Sequence, residues 1–122
     1  MDVERKIDIG DRSLEFAMMV GKFVLRIPQN QLSKEYCRQL IRSSASIGAN
    51  IEEADGALTR KDFINKLGIS RREARETRYW FRLIKKTEII NNSNVLQELD
   101  LLICEAKELL LILSAIIKNS RS

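Results

Sequence analysis

The segment FINKLGISRREARETRYWFRLI, residues Phe63–Ile84, decides the fold of this 122-residue chain. Its apolar and small residues alternate steps of four and three throughout: Phe63, Leu67, Ser70, Ala74, Thr77, Phe81 and Ile84. This alternation is typical of an α-helix that packs against other helices at a shallow angle. Just before it, Thr59 is followed three residues later by Asp62, a capping-box-like arrangement that predicts a helix start at about Arg60.

Three further segments show the same helical spacing of apolar residues. Their predicted bounds come from caps and breakers: a first helix after Asp11 that is stopped by Pro28, a second from Ser33 as N-cap to Leu58, and a fourth after the turn Asn91–Asn94. Four helices with short connections predict an all-α, antiparallel up-and-down four-helix bundle. The length suits a single domain over residues 1–122.

The composition supports this fold class and speaks against enzyme chemistry. Hydrophobic residues make up 44% and charged residues 31%, with one Pro and five Gly, which is typical of a folded helical protein. The chain has no histidine, so it lacks the commonest general base and the Glu-x-x-His ligands of carboxylate di-metal bundles. A Gly-rich phosphate loop is also absent from the sequence. We therefore predict no catalysis, no metal and no cofactor.

The sequence predicts a cytoplasmic protein that does not enter a membrane. The most apolar segment, Leu99–Ile117, carries four charged residues near its middle: Asp100, Glu105, Lys107 and Glu108. Each of them is costly to place in hydrocarbon. The N-terminus has no continuous apolar stretch of the kind found in signal peptides. Cys37 and Cys104 sit among apolar neighbours, so both are predicted to be reduced core residues.

The segment Ser43–Ala54, SSASIGANIEEA, is rich in small side chains and ends in acid. Small side chains let neighbouring backbones approach closely, which favours tight packing inside the bundle over a site where a ligand approaches. The adjacent carboxylates of Glu52 and Glu53 have no part in that packing and need a separate explanation.

A basic stripe lies beside the apolar seam of the third helix on a helical wheel. It consists of Arg71, Arg75, Arg78, Arg82 and Lys85. None of the four arginines has an Asp or Glu three or four residues away, so their counter-charges must come from another helix, another subunit or a bound anion. The candidates for structural ion pairs are Glu52, Glu53, Glu73 and Glu76. The stripe is thus either half of an ion-pair network, chiefly with Glu52 and Glu53, or a nucleic-acid surface.

Apolar residues outside the helix seams predict self-association. Trp80 and Leu83 lie away from the seam of the third helix. The fourth helix adds Leu101, Leu110, Leu111, Ile112 and Ile117 outside its own stripe. A monomer would leave this surface in water, whereas a homo-oligomer would cover it.

Three motifs resemble the small four-helix-bundle family called 23S rRNA intervening sequence proteins. They are RSSASIGANIEEA (Arg42–Ala54), KDFINKL (Lys61–Leu67) and REARETRYWFRLI (Arg72–Ile84). The resemblance implies a ring-shaped homopentamer with no known catalysis. It also extends to the accessory variability determinant of diversity-generating retroelements, a protein of similar architecture that binds nucleic acid and a reverse transcriptase through a basic surface.

Two function classes remain open on the sequence. The first is a non-catalytic homo-oligomer that binds RNA or DNA through the basic stripe. The second is a homo-oligomeric scaffold for a protein partner such as a reverse transcriptase, with the arginines engaged in interhelical ion pairs. The net charge, 21 − 17 = +4, permits an anionic partner without requiring one.

Overall fold

The computed structural model describes residues 8–121, which form four α-helices joined by short connections. The helices are α1 (Ile9–Val24), α2 (Gln31–Asp55), α3 (Arg60–Thr87) and α4 (Ser93–Ser120). Helices α1 and α3 each pack against both α2 and α4, so every helix lies between two neighbours. Residues 8–121 contain no strand. The all-α class is therefore confirmed, and the arrangement is that of a four-helix bundle.

The starts of α1 and α2 lie upstream of the predicted ones. The Asp8 carboxylate accepts hydrogen bonds from the backbone N–H groups of Gly10 (3.0 Å) and Asp11 (3.2 Å), so Asp11 lies within the first turn of α1. Asn30 caps α2, because its side chain accepts from the N–H of Ser33 at 2.9 Å while the Ser33 hydroxyl accepts from the N–H of Asn30 at 2.9 Å. The predictions of Asp11 and Ser33 as N-caps were wrong. The residues three positions earlier, Asp8 and Asn30, have the extended backbone that an N-cap requires, and their side chains accept the hydrogen bonds from the first turn.

The start of α3 agrees with the sequence, while the end of α2 does not. The Thr59 hydroxyl accepts from the N–H of Asp62 at 3.1 Å, which confirms a start at Arg60. Helix α2 ends at Asp55, so Leu58 lies in the connection and its side chain is 96% exposed. The prediction that Leu58 continues the buried stripe of α2 was wrong.

Short polar contacts fix the antiparallel register of α2 and α3. The hydroxyls of Ser43 and Thr77 lie 2.8 Å apart, and Ser70 Oγ donates a 2.8 Å hydrogen bond to the carbonyl of Ile47. Moving forward along α2 thus corresponds to moving backward along α3. The three hydroxyls are buried and hydrogen-bonded, so they hold the two helices together without leaving unsatisfied polar groups.

The small residues of α2 divide between close packing and an open groove. A Cβ built on Gly48 would lie 3.0 Å from Ser13 Oγ, so α1 crosses α2 closely at this point. Ser43 and Ser44 are buried, as close packing predicts. Ala45 and Ala49 are instead exposed and line a groove between α1 and α2.

Ion pairs join α1 to α4 across the opposite side of the bundle. Arg12 Nε and Nη2 donate to the two oxygens of Glu105 at 2.6 and 2.8 Å, a bidentate pair. The hydrogen bond to Glu105 raises the pKa of Arg12. Arg26 Nη2 lies 2.8 Å from Glu98 Oε1 near the other end of α1. The later arginine, Arg26, pairs with the earlier glutamate of α4, Glu98, so α1 and α4 are antiparallel.

The core is centred on aromatic side chains from α1 and α3. Phe81 makes edge-to-face contacts with Phe16 and Phe23, with ring centroids 6.4 and 5.6 Å apart. Ile117, predicted to lie on the outer surface, is buried in this core, because α4 continues its inward face for another turn. Each of the four helices in residues 8–121 is too short or too polar to span a lipid bilayer.

The two cysteines occupy different environments. Cys37 is buried in the core, and burial raises the pKa of its thiol. Cys104 is exposed on α4, so the prediction of a core position for Cys104 was wrong. The apolar neighbours of Cys104 in sequence lie on other sides of the same helix, which is why sequence proximity was misleading.

Candidate nucleic-acid interface

The basic stripe lies beside the buried face of α3, where this helix borders α4. Arg75, Arg82 and Lys85 are exposed, while Arg71 and Arg78 are half-buried. The buried face of α3 is anchored in the core by residues such as Leu67, Ala74 and Phe81. Because all five stripe residues are spaced by three or four positions, they lie one above another along the helix.

Lys85 is the stripe residue that has a counter-charge in the described chain. Its Nζ lies 2.6 Å from Asp100 Oδ1 of α4, and both side chains are about half exposed. No carboxylate of residues 8–121 lies within 4 Å of a guanidinium nitrogen of the four arginines in the stripe. The Nε–H of Arg78 is buried and has no hydrogen-bond acceptor among the described residues. Four guanidinium groups thus lie along one face of α3 without an ion-pair partner among residues 8–121.

Glu52 and Glu53 do not reach the stripe, which corrects the expectation that they neutralise it. Both are exposed, and Glu52 lines the groove between α1 and α2. The register of α2 against α3 gives the physical reason. Since Ile47 already lies level with Ser70, residues beyond Ile47 lie level with the part of α3 that precedes Arg71. The two carboxylates are therefore displaced along the bundle from the stripe.

Glu73 and Glu76 instead contact Arg42, a residue of α2 that the sequence had not indicated as a partner. Arg42 Nη1 lies 3.3 Å from Glu73 Oε1, and Arg42 Nη2 contacts Glu76 Oε2. Trp80 Nε1 donates a 3.0 Å hydrogen bond to the same oxygen of Glu76. This is the interhelical ion-pair network of the α2–α3 face, and it uses none of the stripe arginines.

The network shifts the proton equilibria of its members. The hydrogen bond from Trp80 lowers the pKa of Glu76, and the hydrogen bond and charge of Arg42 lower it further. The hydrogen bond to Glu76 raises the pKa of Arg42. Both charges are therefore maintained, and the two glutamates are already engaged by a cation. Within the described part of the chain, no three acidic or thiol side chains come together in a way that could hold a metal ion.

A groove of about 630 Å³ runs along the stripe between α3 and α4. We call it the basic groove. Its lining combines the cations Arg78, Arg82, Lys85 and Lys86 with Tyr79, Leu83 and Ile103, and it includes the carboxylate of Glu88. The groove thus offers positive charge beside an apolar and aromatic surface, which is the combination found in proteins that bind the backbone and bases of nucleic acid.

Sequence reasoning missed the aromatic part of this surface. Tyr79 is 55% exposed and lines the basic groove, although only the charged residues had been considered. Trp80 packs on the other side against Tyr36, with ring centroids 5.9 Å apart. The spacing of Tyr79 from Arg75 and Arg82, one turn on either side, was the available signal.

The family model of the 23S rRNA-intervening sequence proteins matches residues 5–112 of the chain. The chain belongs to this family. The match includes α2, α3, the whole basic stripe and most of α4. A search among curated proteins found no match.

A solved structure supports the same assignment. The chain is similar to a protein of unknown function from the S23 ribosomal protein family of Bacteroides thetaiotaomicron. The two share 38% sequence identity with a TM-score of 0.78, over 91% of this chain and 99% of the solved one. The neighbour therefore shares the fold described above, and neither its name nor that of the family states an activity.

Proposed function

We propose that this intervening-sequence family protein is a non-catalytic protein that binds RNA or DNA through the phosphates, using the basic stripe. The observation that carries the proposal is the absence of any carboxylate of residues 8–121 within 4 Å of the guanidinium groups of Arg71, Arg75, Arg78 and Arg82. Uncompensated guanidinium groups aligned on one helix are suited to phosphate oxygens, which accept charge-assisted hydrogen bonds. The family resemblance to a basic-surfaced retroelement accessory protein supports the same conclusion.

The proposal includes assembly into a homo-oligomer, with five subunits as the family resemblance implies. The outer surface of α1 and α2 supports it, since apolar and small residues lie there that are exposed or, in the case of Ala17, half-buried. We call this surface the apolar face, and its members are Leu14, Ala17, Met18, Ile41, Ala45 and Ala49. The most exposed of the large side chains on this face is Leu14, at 70%. Repetition of the stripe around an oligomer would raise the effective concentration of arginines at each next phosphate.

A second candidate is a scaffold for a protein partner, of which a reverse transcriptase is the one that the resemblance implies. Leu101 and Leu111 favour it, because both are large apolar side chains exposed on α4, away from the apolar face. If the oligomer leaves them uncovered, they are available to another protein.

The test is a titration of structured RNA and of duplex DNA between about 50 and 200 mM salt, the range over which counterion release is diagnostic. The variant is Arg78→Glu/Arg82→Glu, and the matched control is Lys22→Glu/Lys34→Glu on α1 and α2. Each double change lowers the net charge by the same amount, from +4 to 0. Lys22 and Lys34 are exposed and have no ion pair within residues 8–121.

We expect wild type and control to bind with affinities that fall steeply as salt rises, and the arginine variant to lose most of its affinity. The slope of log affinity against log salt should become shallower for the arginine variant, since fewer phosphates are neutralised. No binding at about 50 mM salt, or an equal loss in both double variants, would reject the stripe as the binding surface and favour the protein scaffold.

A further inference from the structure

Tyr79 is the exposed aromatic residue of the basic groove, and neighbouring side chains hold its ring in place. Its ring contacts the ring of Trp80 edge-to-face, with centroids 5.4 Å apart and planes inclined by 76°. Trp80 is itself fixed by its hydrogen bond to Glu76 and by its packing against Tyr36. Tyr79 therefore rests on an anchored aromatic cluster while more than half of its side-chain surface stays open to solvent.

Two arginines of the stripe flank Tyr79 along α3. Arg75 precedes Tyr79 by four residues and Arg82 follows it by three, so each is a surface neighbour one turn away. Neither arginine has a carboxylate within 4 Å in the described chain. Along α3, Tyr79 thus lies between two arginines that have no ion-pair partner among residues 8–121, at the edge of a groove whose other apolar members are Leu83 and Ile103.

This order of cation, aromatic ring and cation matches a nucleotide chain whose bases are unpaired. In a duplex the faces of the bases are stacked on one another, so a surface tyrosine reaches only backbone and groove edges. An unpaired base exposes its face, which can stack on an aromatic ring while the adjacent phosphates contact the arginines. Phosphate contacts alone would leave Tyr79 without a role in binding.

We propose that Tyr79 stacks on an unpaired base and that the basic groove therefore binds single-stranded nucleic acid, or the loops of folded RNA, in preference to duplex. This inference rests on the proposed function, because the arginines on either side of Tyr79 supply the phosphate contacts. Stacking on an aromatic side chain contributes enough per base that its loss lowers affinity by about fivefold or more.

The experiment compares three fluorescein-labelled ligands with the same number of phosphates at about 50 mM salt: an unstructured oligouridine, a fully paired RNA duplex and a DNA duplex. Binding is followed by anisotropy for wild type, Tyr79→Phe and Tyr79→Leu. The leucine variant keeps an apolar side chain but removes the aromatic face. Trp80 is the only tryptophan of the chain, so quenching of its fluorescence reports a base that arrives beside Tyr79.

We expect oligouridine to bind more tightly than either duplex, and Tyr79→Leu to weaken oligouridine by about fivefold or more while the duplexes change little. Tyr79→Phe should behave as wild type, and the salt slope should be the same in all three proteins, since no charge has changed.

Three results would overturn the inference, and they differ in what they imply for the proposed function. If none of the three ligands binds, nucleic-acid binding itself is rejected. Equal affinities for single strand and duplex, with no effect of Tyr79→Leu, reject stacking but leave phosphate binding in place. A change in sedimentation mass of Tyr79→Leu shows that Tyr79 is a subunit contact and not a binding residue.

Discussion

Trp80 Nε1 donates a 3.0 Å hydrogen bond to Glu76, one turn earlier on α3, and the same carboxylate contacts Arg42 of α2. Glu76 thus connects Trp80, which packs against Tyr79, to Arg42 of the neighbouring helix α2. Removal of its negative charge should weaken the α2–α3 contact and loosen the indole. The arginines of the stripe take no part in this link, so stability and ligand binding can be changed separately.

We predict that Glu76→Gln lowers the free energy of unfolding by about 1 kcal/mol near neutral pH, as expected for a partly exposed, charge-assisted pair. The matched controls are Glu52→Gln and Glu53→Gln, which remove the same charge from exposed positions of α2 and should stay within about 0.5 kcal/mol of wild type. Urea unfolding monitored by Trp80 fluorescence measures all four proteins. Equal stabilities of Glu76→Gln and the two controls would contradict the network.

The contribution of Glu76 should also depend on pH. The pKa of Glu76 is lowered in the folded state by the hydrogen bond from Trp80 and by Arg42, so folding favours the ionised form. Its stabilisation is therefore fully present above the ordinary glutamate pKa of about 4.3 and is lost as pH falls through the lower folded value. We expect the stability difference between wild type and Glu76→Gln to shrink as pH falls below about 4.3. A difference that is constant with pH would show that the carboxylate charge is not what stabilises the contact.

Two helical glycines should respond in opposite directions to the same substitution. A Cβ at Gly68 of α3 meets nothing within 4 Å, so Gly68→Ala should stabilise the protein by about 0.5–1 kcal/mol through helix propensity. A Cβ at Gly48 of α2 would lie 3.0 Å from Ser13 Oγ, so Gly48→Ala should gain less or destabilise. Thermal unfolding compares the pair directly. A larger gain at Gly48 than at Gly68 would contradict the close crossing of α1 and α2.

The two thiols should be distinguishable in the native protein. Cys104 is exposed, whereas Cys37 is buried and burial raises the pKa of its thiol. We expect a thiol-specific reagent at pH 8 to modify one cysteine per chain rapidly and the second only after unfolding. Cys104→Ser should remove the rapid phase and Cys37→Ser should leave it unchanged. If the rapid phase persists in Cys104→Ser, the burial of Cys37 is not as described.

Sedimentation equilibrium tests the proposed oligomer, for which we expect about five times the chain mass of 14.1 kDa. Leu14→Lys/Ile41→Lys should lower that mass, because the double change places two charges on the apolar face. Leu58→Lys is the control, since Leu58 is equally apolar but lies in the connection between α2 and α3. Wild type at monomer mass would reject the assembly, and an unchanged mass in the double variant would place the subunit contact elsewhere.

The register of the helices decided which charges meet, and the sequence could not supply it. Local spacing showed that Arg71, Arg75, Arg78 and Arg82 have no partner on their own helix, which the structure bears out. It could not show that Glu52 and Glu53 lie level with the start of α3, or that Arg42 lies level with Glu73 and Glu76. An ion pair between helices depends on relative translation by a single turn, about 5.4 Å, and helical periodicity leaves that translation undetermined.

The sequence by itself determined that there are four helices and which face of α3 points inward, because a spacing of three and four residues is a property of each helix alone. The core positions Leu67, Ala74 and Phe81 follow from this spacing, and the start of α3 at Arg60 follows from the cap residue Thr59. Tertiary structure alone decided the exposure of Tyr79 and the groove that it shares with Ile103 of α4. It also decided that Cys37 is buried and Cys104 is exposed. Each of these depends on which neighbouring helix covers a given side of the chain, and that is settled only when the four helices pack together.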